Sequence, residues 1–286
     1  MPTQYIPCVK NKAIEENMNS NIPKLLAVAI SAVIFAPCAV FAETAPVIDT
    51  TAGIKSAQWG KNVTITFGTD TFALFSDGIP NHPRPTRYLL PKPGVVVPEL
   101  AADLFVGDDP TMPQNYAFTL PLHPRKKAAA TPTGLGPIGI LVSGAALFNP
   151  YEADDHTIAL QHNFTFDGVS FVDACNGHAT PAGFIPVGTY HYHGVPHCIT
   201  DPIDKPREHS KIIGVALDGF PIYGPHGKDG LNPAPLDECN GHTEQTGEFA
   251  QGIYHYHLTE GSPYSIRCLM GEVPASNIQH PPVIKN

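Results

Sequence analysis

Two short sequences that combine Cys, Asn, Gly, His and Tyr occur twice in this chain with the same spacing. Residues 175–178 (Cys-Asn-Gly-His) and 190–193 (Tyr-His-Tyr-His) return as residues 239–242 and 254–257, and the gap between the two motifs is the same in both copies. Side chains alternate between the two faces of a strand, so both histidines of such a strand share one face and both tyrosines the other. Same-face imidazoles, about 7 Å apart at Cα, can lean together on one metal ion.

Each copy therefore provides three imidazoles, two from the strand and one from the Asn-Gly turn before it. The predicted metal ligands are His178, His191, His193, His242, His255 and His257. Ligation by nitrogen alone favours copper or zinc as the cofactor. Two arrangements are open at this point: one site in each copy, or a single site shared across a pseudo-twofold axis.

The cysteines are better explained as disulfides than as metal ligands. Four of the six remain after the N-terminal segment, namely Cys175, Cys198, Cys239 and Cys268. An even number of cysteines in an exported chain indicates disulfides. One cysteine closes each copy, which favours Cys175–Cys198 and Cys239–Cys268, with a pairing between the copies as the alternative.

The similarity between the copies extends further towards the N-terminus. Residues 139–150 align with residues 214–225 in the pattern G-[IV]-x-[VL]-[SD]-G-x-x-[LI]-[FY]-x-P. The Ser143-Gly144 and Asp218-Gly219 pairs between apolar residues are typical of hairpin turns. The sequence thus predicts an internal tandem duplication.

Composition indicates a β fold and argues against a nucleic-acid partner. The chain carries 31 Pro and 25 Gly among 286 residues, and its formal net charge is −9. Many turns and no sustained helical periodicity predict a mainly β, loop-rich protein with antiparallel, sandwich-like sheets, braced by disulfides. We expect an N-terminal strand region over 55–135, a first repeat unit over 138–198 and a second over 212–270.

The N-terminus has the pattern of an export signal. Lys24 precedes the apolar run 25–41, which ends in the small-residue sequence Val40-Phe41-Ala42. We therefore expect residues 1–42 to be a signal peptide and residues 43–286 to be a single periplasmic or secreted domain. After cleavage of the signal, no membrane association is expected.

The order of these motifs resembles that of the YHYH-domain proteins, which are mostly exported bacterial proteins. Residues 215–225 (VALDGFPIYGP) and 236–242 (LDECNGH) make the resemblance specific, and it spans about residues 55–272. It implies export and a single motif-bearing domain, without a particular activity. In similar proteins the second YHYH motif is often less regular, whereas here it is complete. This chain is therefore a good candidate for two equivalent half-sites.

Three functions are consistent with these residues. The first is an exported protein that binds copper or zinc through duplicated His clusters. The second is a metal-dependent hydrolase in which Asp173, Asp237 or Glu238 acts as the base. The third is a disulfide-braced surface or binding module whose histidines are structural. Asp173 and Asp237 either fix the imidazole tautomers or cap their turns.

Overall fold

The computed structural model describes residues 47–183 and 186–277. The predicted signal peptide, residues 1–42, lies outside these ranges. Within them, no helix is both long enough and apolar enough to cross a membrane. The helical segments are short: α1 (Thr51–Ser56), α2 (His197–Thr200) and the 3-10 turns Ala101–Asp103, Ala159–Gln161, Lys228–Gly230 and Ala275–Asn277.

Seventeen strands are seen in the described residues, and the prediction of a mainly β fold is confirmed. In chain order they are β1 (Val63–Phe67), β2 (Thr71–Ser76), β3 (Arg87–Pro91), β4 (Leu104–Asp108), β5 (Tyr116–Pro121), β6 (Lys126–Pro132), β7 (Gly139–Leu141), β8 (Ala146–Leu147), β9 (Thr165–Phe166), β10 (Val169–Ser170), β11 (Gly177–Ala179), β12 (Tyr190–Tyr192), β13 (Ile212–Ala216), β14 (Pro221–Tyr223), β15 (Gly241–Glu244), β16 (Ile253–His257) and β17 (Cys268–Gly271).

An eight-stranded sheet carries both copies of the motif. Its strand order is β11-β12-β8-β7-β13-β14-β16-β15. Most neighbours are antiparallel, but β12 runs parallel to β8 and β16 runs parallel to β14. The order is therefore the same on either side of the β7–β13 pair, and the two motifs lie at opposite ends of the sheet. The sheet has matched halves, while the duplication itself stays a prediction.

The two predicted Gly-containing turns form the hairpins β7–β8 and β13–β14. Gly144 and Gly219 have φ values of 95° and 86°, a region in which a side chain would be strained. A third hairpin, β9–β10, turns at Asp167-Gly168. These short turns return each chain segment beside its partner, and so they fix the register on which the histidine positions depend.

A three-stranded antiparallel sheet, β1-β2-β5, contributes to the same core as the large sheet. Alternate residues of β2 and β5 are buried, among them Phe72 and Phe118, while their neighbours face outward. They join Ile140, Val215 and Ile222 of the large sheet in one apolar cluster. The core therefore lies beneath the strands that carry the motifs.

The Pro-rich region 83–98 is more regular than its composition suggests. β3 pairs with β4 despite the prolines around it, with Arg87 opposite Asp108 and Pro91 opposite Leu104. Pro91 is tolerated because it is the last residue of a strand in a two-stranded sheet, where a missing amide proton costs little.

Both favoured disulfides are present. Cys175 is bonded to Cys198, and Cys239 to Cys268. Each closes the chain around one Asn-Gly turn and the histidine strand that follows. The second also anchors β17, which pairs with β6 and aligns Cys268 with Pro132.

Candidate functional site

Each Cys-Asn-Gly-His segment is a tight turn held by the aspartate two residues before its cysteine. Asp173 Oδ1 accepts hydrogen bonds from the amides of Cys175 and Gly177, at 2.8 and 3.2 Å. Asp237 does the same for Cys239 and Gly241, at 3.0 and 3.1 Å. These aspartates therefore cap turns, which was one of the two roles predicted for them.

The asparagine of each turn adopts a left-handed conformation, with φ of 59° at Asn176 and 67° at Asn240. Asparagine tolerates this region better than most residues. The carbonyl of Asn176 accepts from the amide of His193 at 3.0 Å, and that of Asn240 accepts from His257 at 2.9 Å. The turn is thus tied to the last histidine of its own motif.

The tyrosines occupy the opposite face from the histidines, as the alternation predicts. Tyr190 donates to Asp173 Oδ2 at 2.8 Å, and Tyr254 donates to Asp237 Oδ2 at 3.0 Å. Because Asp173 and Asp237 face the tyrosine side, they do not orient the imidazoles. They are also poorly placed to act as the base of a hydrolase, and Glu238 is exposed.

The first cluster consists of His178, His191 and His193, all of them buried. His178 and His191 are directly opposite each other on β11 and β12. The Nε2 atoms of His178 and His193 lie 3.3 Å apart, and one ring nitrogen from each of the three residues lies within 4.8 Å of the others. The three predicted ligands of the first copy are therefore brought together.

Backbone carbonyls orient two rings of this cluster. His191 Nδ1 is 2.9 Å from the Thr189 carbonyl oxygen, and His193 Nδ1 is 2.7 Å from that of Asn149. A carbonyl can only accept, so the proton is on Nδ1 and the neutral ring has its lone pair on Nε2. Carbonyl partners of this kind commonly orient metal-ligating histidines.

Burial keeps the first cluster uncharged. It lowers the pKa of His178 to about 3 and that of His193 to about 4, and it holds the pKa of His191 well below its ordinary value. At neutral pH these rings are neutral, which is the form that binds a metal ion.

The second cluster contains a histidine that the motifs do not include. His255 and His257 come from β16, and their Nε2 atoms lie 3.0 Å apart. Together with His209, from the segment before β13, they form a second group whose ring nitrogens lie within 4.8 Å of one another. The predicted ligand His242 lies beside this triad, with its ring centroid 4.8 Å from that of His255 and 5.1 Å from that of His257.

The orienting contacts of the first cluster recur in the second. His255 Nδ1 donates to the Ile253 carbonyl at 2.9 Å and His257 Nδ1 to the Gly224 carbonyl at 2.7 Å. His209 Nδ1 is 2.8 Å from the carbonyl oxygen of Ser210. Burial lowers the pKa of His255 to about 3 and places that of His257 well below its ordinary value. The Nε2 lone pairs therefore point at one another again.

Glu244 adds a carboxylate to the second cluster. Its Oε2 atom is 3.7 Å from His209 Nε2 and 3.8 Å from His242 Nε2. All three atoms are buried, and none has a hydrogen-bond partner among the described residues. Buried polar atoms without partners are costly, and a cation among them would satisfy all three.

The spacing of the Nε2 atoms fits a bound ion. Metal–nitrogen bonds of 2.0–2.1 Å at tetrahedral angles separate two ligand nitrogens by about 3.3 Å. The observed separations are 3.3 Å between His178 and His193, and 3.0 Å between His255 and His257.

The structure assembles two separate clusters rather than one shared site, because each triad comes from its own end of the large sheet. The six predicted histidines all lie at the clusters, with His242 outside the tightest triad. Sequence reasoning missed His209 and Glu244. Glu244 follows His242 at a spacing of two on β15, which was a usable signal, whereas His209 belongs to no motif.

A small cavity of about 70 Å³ lies against the first cluster, and its lining includes His178, His191 and His193. Glu152 lines the same cavity, and its buried Oε1 atom has no hydrogen-bond partner in the described part of the chain. Burial raises the pKa of Glu152 to about 8. This carboxyl group is another feature that the motifs did not identify.

His82 lies by the first disulfide and is half-buried. Its Nε2 is 2.7 Å from the Tyr192 hydroxyl and 3.5 Å from Cys175 Sγ. His82, Cys175 and Cys198 lie close enough to form a third possible group of metal ligands. Because Cys175 and Cys198 are joined in a disulfide, they offer no thiolate to a metal.

The fold and these clusters define a disulfide-braced β protein with two buried polyhistidine centres. The family described as "YHYH protein" matches residues 117–234 and 229–271. This match covers more than half of the chain, so the chain belongs to the YHYH protein family. The resemblance noted from the sequence is confirmed. No curated protein and no solved structure matches the chain.

Proposed function

We propose that this protein is an exported transition-metal-binding protein that holds copper or zinc in its two His clusters. One observation carries the proposal. In the first cluster His193, whose Nδ1 donates to a carbonyl, holds its Nε2 3.3 Å from that of His178. In the second, His255 and His257 both donate from Nδ1 to carbonyls, and their Nε2 atoms lie 3.0 Å apart. Two lone pairs at that distance repel unless a cation lies between them. Since burial lowers the pKa of these rings, a metal ion is a better candidate for that cation than a proton.

The same contacts weigh against purely structural histidines. A structural histidine satisfies both ring nitrogens with hydrogen bonds, because buried polar atoms without partners destabilise the fold. Here His193, His255 and His257 satisfy Nδ1 with backbone carbonyls, and their Nε2 atoms face ring nitrogens of other histidines. Histidines kept only for packing would not need this arrangement in two places.

Export would explain the two disulfides, and the donor atoms of the clusters limit the choice of metal. Two disulfides fit an oxidising compartment such as the periplasm or the extracellular space. The donors of both clusters are imidazoles and a carboxylate, without thiolates. Imidazole donors suit zinc and copper. The predicted leader at residues 1–42 is consistent with this location.

The test is the metal content of the protein exported to the periplasm and purified without chelators or affinity metal. Elemental analysis would be made on the wild type, His191→Ala, His255→Ala and the double variant. His156→Ala is the matched control, because its side chain is 79% exposed and distant from either motif in sequence. Circular dichroism and thermal unfolding would show whether each variant is folded.

We expect two equivalents of copper or zinc in the wild type and the control, about one in each single variant and none in the double variant. Folded wild-type protein that takes up neither metal after incubation with both would overturn the proposal. It would then favour the surface or binding module with structural histidines.

A further inference from the structure

The two clusters differ in the donors that surround their triads. Gly139 and Gly214 are equivalent in the aligned segments, and the same 75-residue offset relates Gly134 to His209. His178 and His242 are equivalent in the motifs, and their 64-residue offset relates Thr180 to Glu244. At these two equivalent positions the first copy has Gly134 and Thr180 in place of the imidazole and the carboxylate of the second.

The position equivalent to Glu244 faces a cavity in the first cluster. Thr180 and Leu135 line the cavity that lies against the three histidines. A volume of about 70 Å³ exceeds the roughly 10–15 Å³ that one water requires, so several small-molecule atoms fit.

The lining of this cavity combines apolar side chains with one unpartnered carboxyl group. Much of its wall is apolar, with Leu135, Phe148 and Phe171 among the lining residues. Glu152 also lines it, a residue only 7% exposed whose Oε1 has no hydrogen-bond partner among the described residues. An unpartnered buried carboxyl group beside three imidazoles is a second and independent indication of a ligand.

Resting on the metal-binding function proposed above, we propose that the first cluster is a ligand-binding metal site. Its metal takes a small lone-pair donor of two or three heavy atoms from the cavity, and Glu152 hydrogen-bonds to that donor. The second cluster, with His209, His242 and Glu244 around its His255–His257 pair, fills its coordination sphere with the chain's own donors. Three protein ligands with a free position are typical of reactive metal sites, and complete sets are typical of structural ones.

Azide is a suitable probe, because it is a linear three-atom anion that binds Cu(II) and produces a charge-transfer absorption band. The protein would first be loaded with Cu(II) and its copper content measured. Azide would then be titrated into the wild type, His191→Ala and His255→Ala. We expect one azide per protein in the wild type and in His255→Ala, and none in His191→Ala.

Reciprocal variants test the cause of the difference. Thr180→Glu should keep copper in the first cluster and abolish azide binding, since a carboxylate would occupy the free position. The double variant His209→Gly/Glu244→Thr should gain a second azide. Glu152→Leu should weaken azide binding roughly fivefold by removing one hydrogen bond, whereas Glu152→Gln should retain it.

Azide bound equally in His191→Ala and the wild type, two azides per wild-type protein, or copper-loaded protein without any azide band would each overturn this assignment. Failure of the metal-binding function is distinguishable, because it would appear as absent copper before any azide is added.

Discussion

His255 and His257 hold their Nε2 atoms 3.0 Å apart although neither ring has a proton to share there. Each ring donates its Nδ1 proton to a backbone carbonyl, from Ile253 and Gly224 respectively. In the apoprotein this contact is repulsive, and protonation of a buried ring would relieve it only by placing a charge in an apolar interior. A bound metal ion should therefore stabilise this pair, and acid should destabilise the fold around it.

Metal-free protein should lose stability steeply as the pH falls below about 6.5. Five buried histidines have a pKa well below 6.5 in the fold, so the unfolded chain binds more protons than the folded one in this range; they are His178, His191, His193, His255 and His257. Each contributes a slope of about 1.4 kcal/mol per pH unit. Their contribution to the unfolding free energy is therefore highest above pH 6.5, where these histidines are neutral in both states. It decreases as the pH falls from 6.5 towards the pKa values of the folded protein.

Two carboxyl groups act in the opposite direction. Burial raises the pKa of Glu152 to about 8 and that of Asp218 to about 6, so both bind a proton in the fold before they do in the unfolded chain. Between about pH 6 and 4.5 these five histidines and two carboxyl groups leave a net excess of about three protons on the unfolded chain, and His242, whose pKa burial also lowers, adds to it. We expect the unfolding free energy of the apoprotein to fall by about 4 kcal/mol per pH unit there.

Urea unfolding of the apoprotein at pH 7.5, 6.0 and 5.0 measures this slope. His156→Ala, which removes a largely exposed imidazole outside both clusters, is the control variant. Equal unfolding free energies at pH 7.5 and 5.0 would contradict the neutral state assigned to the clusters.

The glycine of each Cys-Asn-Gly-His turn is required by the first tyrosine of the YHYH motif in the same copy. A Cβ atom at Gly177 would fall on the phenol oxygen of Tyr190, and one at Gly241 on that of Tyr254. Asp173 and Asp237 hold these phenols by hydrogen bonds, so the rings cannot move without losing a buried contact.

Gly177→Ala and Gly241→Ala should each lower the unfolding free energy by about 1–3 kcal/mol, the usual cost of inserting a methyl group into a packed site. Because the next residue is a cluster histidine, each variant should also weaken metal binding at its own cluster only. Gly247→Ala and Gly261→Ala are matched controls, since a Cβ atom meets nothing within 4 Å at either position. Denaturant unfolding and metal titration of the four variants give the comparison. A loss as small as that of the controls would show that the tyrosine contact does not explain the motif glycine.

The parts of the fold that sequence reasoning predicted are local. Alternation identified the histidine face, the Gly-containing turns at residues 143–144 and 218–219 identified two hairpins, and one cysteine per copy identified the disulfides. Each of these depends on neighbouring residues in one strand or turn. The pairing of β17 with β6 joins segments far apart in the chain and has no such local signal.

The missed site residues have the same explanation. His209 reaches the second cluster from a loop, and only the docking of that loop brings it to within 4.8 Å of His255 and His257. Glu152 likewise enters the first cavity from an irregular segment. Loop positions follow no periodicity, so a single sequence does not reveal which loop residue meets a strand.

The second tyrosine of each YHYH motif is bonded to the turn of the neighbouring hairpin, and the two copies differ in the charge of that partner. Tyr256 donates to Asp218 Oδ2 at 2.6 Å and accepts from the Met270 amide at 2.7 Å. Tyr192 instead pairs with the neutral Ser143 hydroxyl at 2.9 Å, and its own hydroxyl also lies 2.7 Å from His82 Nε2. Hydrogen bonds to charged groups contribute more than neutral ones, about 1.5–3 kcal/mol against 0.5–1.5 kcal/mol.

At pH 7, Tyr256→Phe should therefore cost about 2–3 kcal/mol of unfolding free energy. Tyr192→Phe, which loses the contacts with Ser143 and His82, should cost about 1–2 kcal/mol. The loss in Tyr256→Phe should shrink at pH 5, because the hydrogen bond from Tyr256 lowers the pKa of Asp218 and so matters most when that carboxyl is ionised. Urea unfolding of wild type and variant at both pH values cancels the contribution of the histidines, which both proteins share. A loss in Tyr256→Phe that is equal at pH 7 and pH 5, or smaller than that in Tyr192→Phe, would show that Asp218 is not a charged anchor for the strand that carries His255 and His257.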